Sequence, residues 1–148
     1  MASATSIVDF TESYNSLFPV ADANFALAQL GGDAAVSKAL SAIVDVGLED
    51  VLGLRLLHKH NDISSGEIML ETAAYDDEGF SLITCPSGEY LKSASPNSWM
   101  LVAGRFVPVE FSEHKLLQDP NFRIEEYKEE LSNLANILIS ENLSKVLG

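Results

Sequence analysis

The hydrophobic period of the chain changes near residue 50, and this change limits the possible folds more than any other feature. Before it, apolar residues recur every three or four positions, the spacing of one helical face. After it, apolar and polar residues alternate over short stretches, as they do in strands. Helical spacing returns after residue 119. Helices first, strands in the middle and a helix last predict an α+β domain.

The predicted domain covers residues 1–148 and consists of an antiparallel sheet of about four to five strands packed against N-terminal helices and a long C-terminal helix. Asp33 is the expected N-cap of the main N-terminal helix. Asp119 and Pro120 are the expected start signals of the C-terminal helix. The predicted segments, in order, are a helical N-terminal arm (1–32), a helix (33–47), antiparallel strands (50–112) and the C-terminal helix (119–147).

Two turns are predicted inside the strand region. The acidic stretch from Asp76 to Gly79 separates two strand patterns, and Ala103-Gly104 separates two more. Pro108 has no backbone N–H, so its strand should lie at a sheet edge or contain a bulge.

Two helices carry apolar stripes that need a partner surface. In the helix over 33–47 the predicted stripe is Val36, Ala39, Leu40, Ile43 and Val44. In the C-terminal helix it is Ile124, Tyr127, Leu131, Leu134, Leu138 and Ile139.

The net charge excludes two classes of partner. The chain has 22 acidic and 9 basic residues, a formal net charge of −13 at pH 7. Such a field repels phosphate backbones and anionic membrane surfaces, and no cluster of lysine and arginine offsets it. We therefore expect no nucleic-acid partner and no membrane partner.

Several absences from the sequence predict a cytoplasmic protein. Cys85 is the only cysteine, so no internal disulfide can form. The first residues lack the basic and apolar regions of a signal peptide. No apolar stretch approaches the roughly 20 residues that a membrane-spanning helix needs.

Two of the three histidines, His58 and His60, stand one residue apart at the end of VLGLRLLHKH. In a strand, both imidazoles would continue the apolar face, while Arg55 and Lys59 would mark the wetter face. Three interpretations are open. The rings hydrogen-bond to the backbone of the following loop, they do acid/base work on a small molecule, or they bind a metal ion.

The metal interpretation needs a third ligand from elsewhere in the chain. The predicted ligand set for a divalent metal such as zinc is His58, His60 and His114, with Glu67, Asp62 and Glu110 as further donors. The pattern is similar to the cupin motif. In that motif five residues separate a glycine from the His-x-His pair, and three or four residues separate the pair from a following glutamate. Here four residues separate Gly53 from His58, and six separate His60 from Glu67. The long terminal helices also depart from a cupin barrel.

Four short motifs follow one another between residues 50 and 112. They are LLHKH at 56–60, Gly66-Glu67, Pro96-Asn97-Ser98-Trp99 and Gly104…Pro108-Val109-Glu110-Phe111. Together they resemble a group of short proteins of filamentous fungi that have Leu-His-Arg-His, Gly-Glu, Pro-x-Ser-Trp and Gly…Pro-x-Glu-Phe. Lys59 replaces the usual arginine, which keeps the charge but loses the planar guanidinium. That group has no established activity, so the resemblance implies only that Trp99 and Glu110 belong with the histidines in one assembly.

These observations predict a domain that binds a small molecule and that could act as a cofactor-free isomerase, cyclase or lyase. His58 and His60 are the predicted acid/base residues, and Glu110 would set their tautomer. Trp99, Glu67 and Arg105 are the predicted ligand contacts. The alternatives are a metal-binding protein and a non-enzymatic interaction module, in which the amphipathic C-terminal helix serves a partner or a homodimer.

Overall fold

Helices precede and follow a four-stranded sheet. The computed structural model describes the backbone of residues 5–88, 94–113 and 122–148, and the side chains of these stretches from residue 10 onward. Within them, the elements in chain order are α1 (Thr5–Asn15), α2 (Val20–Gln29), α3 (Asp33–Val44), β1 (Ile68–Asp76), β2 (Gly79–Ser87), β3 (Ser95–Val102), β4 (Arg105–Ser112), a 3-10 helix (Ile124–Tyr127) and α4 (Ser132–Ser140). The α+β class is confirmed; α1 and α2 lie within residues 1–32, and α3 begins at Asp33 but ends at Val44, before the predicted residue 47.

The chain groups into two units, each assembled from three stretches. The first unit contains Met1–Ser16, Asn61–Trp99 and Val107–Phe122, and the second contains Leu17–His60, Met100–Phe106 and Arg123–Gly148. Helix α1 and the β1–β2 hairpin therefore belong to the first unit, and α2, α3 and α4 belong to the second. That residues 1–148 form a single domain stays a prediction.

The sheet is mixed, so the prediction of a wholly antiparallel sheet is wrong. The strand order is β2-β1-β4-β3. β1 and β2 pair antiparallel, whereas β1 and β4 pair parallel with Met69 opposite Glu110. Turn residues carry a local sequence signal for a hairpin, but the pairing of β1 with β4 is non-local and has none. For that reason the sequence could indicate the hairpins and not the order of the strands.

Both predicted turns are confirmed. Asp77 and Glu78 join β1 to β2, and Ala103 and Gly104 join β3 to β4. Ala103 has a φ of 50° and Gly104 a φ of 77°, as a type I′ turn requires. Pro108 lies in an inner strand rather than at an edge, but β4 pairs with β1 only from Glu110 to Ser112. Pro108 therefore lies outside the part of β4 that pairs with β1.

The first unit buries one sheet face against α1. Ile68, Leu70, Ala94 and Phe111 form its hydrophobic cluster, and Phe10 of α1 packs against them. The ring centroids of Phe10 and Phe111 are 5.6 Å apart.

The predicted strand VLGLRLLHKH, residues 51–60, is not one of the strands of the sheet. Leu56 forms an isolated antiparallel bridge with Leu147, and Lys59 forms a parallel bridge with Pro19. The predicted alternation of faces is wrong as well, because Leu57 of the wetter face is buried and His60 is exposed. The segment pairs with short irregular stretches instead of a sheet, so its burial does not follow a period of two.

The buried face of α3 is turned from the predicted one. Its buried residues are Ala35, Ala39, Ala42 and Ile43. Leu40 and Val44 of the predicted stripe are exposed. Helix α3 packs against α4, and small side chains at such a contact allow the two axes to approach closely. The prediction of Asp33 as N-cap is wrong: Gly32 holds that position, and Asp33 is the first helical residue.

The described part of the C-terminal region is not one long helix, so that prediction is wrong. A 3-10 helix and a turn precede α4. Glu125 and Glu129 are like charges at positions i and i+4, as are Glu126 and Glu130, and such pairs destabilise an α-helix. The predicted start signals Asp119 and Pro120 lie outside the described residues.

Helix α4 ends before the predicted residue 147. Asn142 has a φ of 58°, and the N–H of Leu143 donates to the Leu138 carbonyl at 2.8 Å, as in a Schellman motif. Of the predicted stripe, Ile124, Leu131, Leu134 and Leu138 are buried, Tyr127 is half-buried and Ile139 is exposed. No helix in the described stretches is long and apolar enough to cross a membrane.

Candidate functional site

The predicted site residues divide between the two units. His58, His60 and Arg105 belong to the second unit, and Glu67, Trp99 and Glu110 belong to the first. His114 lies outside the described residues.

The backbone of the histidine segment is held by hydrogen bonds on both sides. The N–H of Arg55 donates to the Gly148 carbonyl at 2.8 Å, and the N–H of Gly148 donates back to the Arg55 carbonyl at 3.1 Å. The N–H of Leu57 donates to the Val146 carbonyl at 2.9 Å. Beyond His58, the N–H of Lys59 donates to the Phe18 carbonyl, also at 2.9 Å. The main chain on each side of His58 is thus fixed by a different neighbour.

One ring nitrogen of His58 is used within the segment. Its Nδ1 atom lies 2.9 Å from the carbonyl oxygen of Leu56. Because a carbonyl oxygen can only accept, Nδ1 must carry the hydrogen. In the neutral ring Nε2 is then the unprotonated nitrogen, which can accept a proton or bind a ligand.

The two imidazoles lie next to each other. Their ring centroids are 5.0 Å apart and their planes meet at 64°. His58 is half-buried, whereas His60 is exposed. The pair therefore offers one sheltered and one solvent-facing imidazole at the same place.

This geometry bears directly on one of the three interpretations of the histidines, the backbone hydrogen bond. A backbone hydrogen bond is present, but its acceptor is Leu56, upstream of the ring, and not the loop at 61–66. That bond uses Nδ1, and a hydrogen bond to one ring nitrogen determines which nitrogen of a neutral imidazole carries the proton.

The metal interpretation has no complete ligand set in the described part of the chain. No group of three or more His, Cys, Asp or Glu side chains there is arranged to hold a metal ion. The predicted third ligand, His114, is outside that part. The set of His58, His60 and His114 therefore stays a prediction.

Glu67 closes the turn that leads into β1. Its Oε2 accepts the N–H of Ser64 at 2.7 Å, and its own N–H donates to the Ser64 carbonyl at 3.0 Å. Its carbonyl accepts the Thr11 hydroxyl at 3.3 Å. Through these contacts Glu67 stabilises the turn before β1.

Glu110 lies on a polar face of the sheet in the first unit. The parallel register puts Glu110 beside Met69 and Ser112 beside Glu71, so these side chains share one face. The side-chain amide of Asn97 donates to Glu71 Oε1 at 3.3 Å, which places Asn97 on that face too. Only 3% of Glu110 is exposed. A carboxylate is thus buried within a polar row that crosses three strands.

Trp99 follows Asn97 by two residues on β3 and so projects to the same face. It is half-buried, and its ring packs edge-on against Phe122 with centroids 5.9 Å apart. The sequence patterns pointed to Trp99 and Glu110 as site residues, but they gave no role to Asn97 or Ser112. The available signal was alternation, since each of these residues stands two positions from a predicted one on the same strand.

Arg105 is exposed at the first position of β4, directly after the turn. The structure thus brings His58 and His60 together in the second unit, and Glu110 and Trp99 onto one sheet face in the first.

No protein-family model, no curated protein and no solved structure matches the chain.

Proposed function

We propose that this protein binds a small organic molecule beside His58 and that His58 transfers a proton to or from it without a cofactor. The observation that carries the proposal is the 2.9 Å contact between His58 Nδ1 and the Leu56 carbonyl. It makes Nε2 the basic nitrogen of the neutral ring. The reaction classes that such a base serves are isomerisation, cyclisation, elimination and addition of water.

Position and shelter support this role for His58. A general base must hold its lone pair in a constant direction toward the substrate. The hydrogen bonds of Leu57 and Lys59 fix the backbone on either side of His58, and the Leu56 carbonyl fixes its ring. Because the ring is half-buried, a bound molecule can cover Nε2 and exclude water from it.

His60 supplies a second proton-transfer group in this proposal. Its ring is adjacent to that of His58 and exposed to solvent, so it can exchange protons between the site and bulk water. The carbonyl of Leu56 takes the tautomer-setting role that the sequence assigned to Glu110. Trp99 and Arg105 stay predicted ligand contacts, and membership of the fungal group stays a prediction.

One observation weighs against the alternative that the protein is a non-enzymatic interaction module. The apolar stripe of the C-terminal region was the predicted partner face, but Leu134 and Leu138 of α4 are buried within the second unit. A homodimer and a cytoplasmic location remain predictions from the sequence.

A general-base assay with 5-nitrobenzisoxazole tests the proposal. Nε2 would remove the proton from C3 of the probe while its N–O bond opens to give a nitrile and a phenolate, which is followed by absorbance. We expect the wild-type protein to be faster than free 4-methylimidazole at equal concentration. We expect His58→Asn to lose most of that excess, because general-base catalysis is worth about 10²–10⁴-fold.

His58→Asn is the matched variant because its side-chain N–H can still donate to the Leu56 carbonyl. His60→Asn serves as control and should retain a measurable excess rate. The proposal is wrong if the wild-type protein does not exceed 4-methylimidazole, or if His58→Asn reacts as fast as the wild type.

A further inference from the structure

We infer that the outer edge of β2 binds an extended peptide of a partner protein, which adds to the sheet as a further strand. The geometry points to a segment with apolar side chains at alternate positions and basic residues at its C-terminal end. This surface lies in the first unit and is independent of the proposed histidine chemistry.

The position of β2 in the sheet provides the backbone part of the surface. All nine residues of β2 pair with β1, and β2 is the terminal strand in the order β2-β1-β4-β3. Among the described strands it has a neighbour on one side only. Alternate N–H and C=O groups of β2 therefore point away from β1, where an added strand can pair with them.

Of the features that normally protect a sheet edge, β2 has a proline near its end but no charged side chain. Proteins usually place charged residues, especially lysine, on edge strands. Residues 79–87 contain none, and only Pro86 interrupts the ladder donors. Phe80, Leu82 and Ile83 are 51%, 48% and 50% exposed. A strand this apolar and uncharged is typical of one that pairs with another chain.

The exposed side chains fall on both faces of the hairpin. Phe80 and Leu82 project to one face, and Ile83 projects to the other. Tyr75 of β1 is opposite Phe80, with ring centroids 5.2 Å apart, and is largely exposed. The aromatic pair extends the apolar surface at the start of β2. Apolar side chains at alternate positions of an added strand would cover Phe80 and Leu82.

The charge near this edge selects the partner. Asp76, Asp77 and Glu78 stand immediately before β2, in a chain whose net charge is −13. An antiparallel segment would place its C-terminal end beside this turn, where lysine or arginine is favoured. A second copy of the chain does not fit, because two copies of charge −13 repel each other and β2 contains no basic residue.

Fluorescence anisotropy with a labelled synthetic peptide tests this inference on the full chain. The probe is a nine-residue peptide of alternating valine and threonine with two lysines at its C-terminal end. We expect saturable binding that Leu82→Lys weakens at least about tenfold, since a lysine at this edge repels the basic segment and replaces an apolar contact. Asp77→Asn combined with Glu78→Gln should weaken binding and reduce its salt dependence.

Two control peptides separate the contributions. The same peptide with glutamates in place of lysines should bind at least about tenfold more weakly. The lysine peptide with N-methyl groups on alternate residues that face the edge should lose binding, because it cannot donate to the ladder. Equal binding of the lysine and glutamate peptides, or full binding of the N-methylated peptide, would overturn the inference. A dimer in sedimentation that Leu82→Lys dissolves would also overturn it, since the occupant would then be a second copy.

Discussion

The backbone groups of Arg55 and Gly148 exchange two hydrogen bonds, with N···O distances of 2.8 and 3.1 Å. The last residues of the chain thereby run beside the segment that carries His58. Val146 and Leu147 are buried, and Val146 accepts a further hydrogen bond from Leu57. The C-terminal residues are therefore part of the frame that positions the proposed base.

Truncation of Leu147 should destabilise the protein strongly. Leu147 is buried and forms a β-bridge with Leu56. Leu→Ala at a buried position costs about 2–5 kcal/mol in the free energy of unfolding, because both the apolar contact and the packing around it are lost. We expect Leu147→Ala to fall in this range in urea unfolding.

Lys145→Ala is the matched control for that measurement, since Lys145 is exposed two residues away and should change the free energy of unfolding by less than about 0.5 kcal/mol. Equal stabilities of the two variants would show that the C-terminal residues do not hold the histidine segment.

Asn15 should be a second sensitive position. Its side-chain amide donates to the Ile63 carbonyl and its Oδ1 accepts the Ile63 N–H, both at 2.8 Å. Asn15→Ala would remove both bonds next to a buried residue. We expect a loss of about 2–3 kcal/mol in thermal or urea unfolding, from two hydrogen bonds of about 1 kcal/mol each and the desolvated groups they leave.

Asn15→Asp removes only one of the two hydrogen bonds with Ile63. The aspartate can still accept the Ile63 N–H but cannot donate to its carbonyl. The variant should be less stable than the wild type and more stable than Asn15→Ala. If Asn15→Ala unfolds like the wild type, the paired contact with Ile63 is not formed in solution.

Ala103→Asn should stabilise the protein. Ala103 has a φ of 50° at the first central position of a type I′ turn, a conformation that alanine disfavours and asparagine tolerates. Asn-Gly is the preferred pair for this turn. We expect a gain of about 0.5–1 kcal/mol, measured as a higher urea midpoint at unchanged slope.

Ala103→Val is the opposing variant, since a β-branched residue at positive φ is strained. It should lower the urea midpoint. A midpoint that rises for valine and falls for asparagine would contradict the assigned turn.

Local signals predicted much of the fold. The spacing of apolar residues indicated the N-terminal helices, and turn residues indicated Asp77-Glu78 and Ala103-Gly104 as the hairpin turns. The parallel pairing of Met69 with Glu110 could not be predicted, because it depends on which strands meet after collapse. The exposure of Leu40 was missed for a related reason: hydrophobicity does not show that α3 packs through alanines.

Part of the candidate site was also predictable from the sequence. The His-x-His spacing placed both imidazoles on one side of the segment, and their ring centroids are 5.0 Å apart. The hydrogen-bond acceptor of His58, the Leu56 carbonyl, was not predicted, because the sequence pattern placed this segment in a strand of the sheet and the structure does not. The hydrogen bonds that join Leu57 to Val146 and Arg55 to Gly148 are non-local and carry no sequence signal.

The tautomer of His58 tests the central claim most directly. Long-range ¹H–¹⁵N correlation spectra distinguish a protonated ring nitrogen from an unprotonated one, and His58→Asn assigns the signals. At a pH where the ring is neutral, we predict that Nδ1 of His58 carries the proton and Nε2 does not, because the Leu56 carbonyl can only accept. A neutral His58 protonated at Nε2 would contradict the account, since that nitrogen would have no lone pair with which to accept a substrate proton.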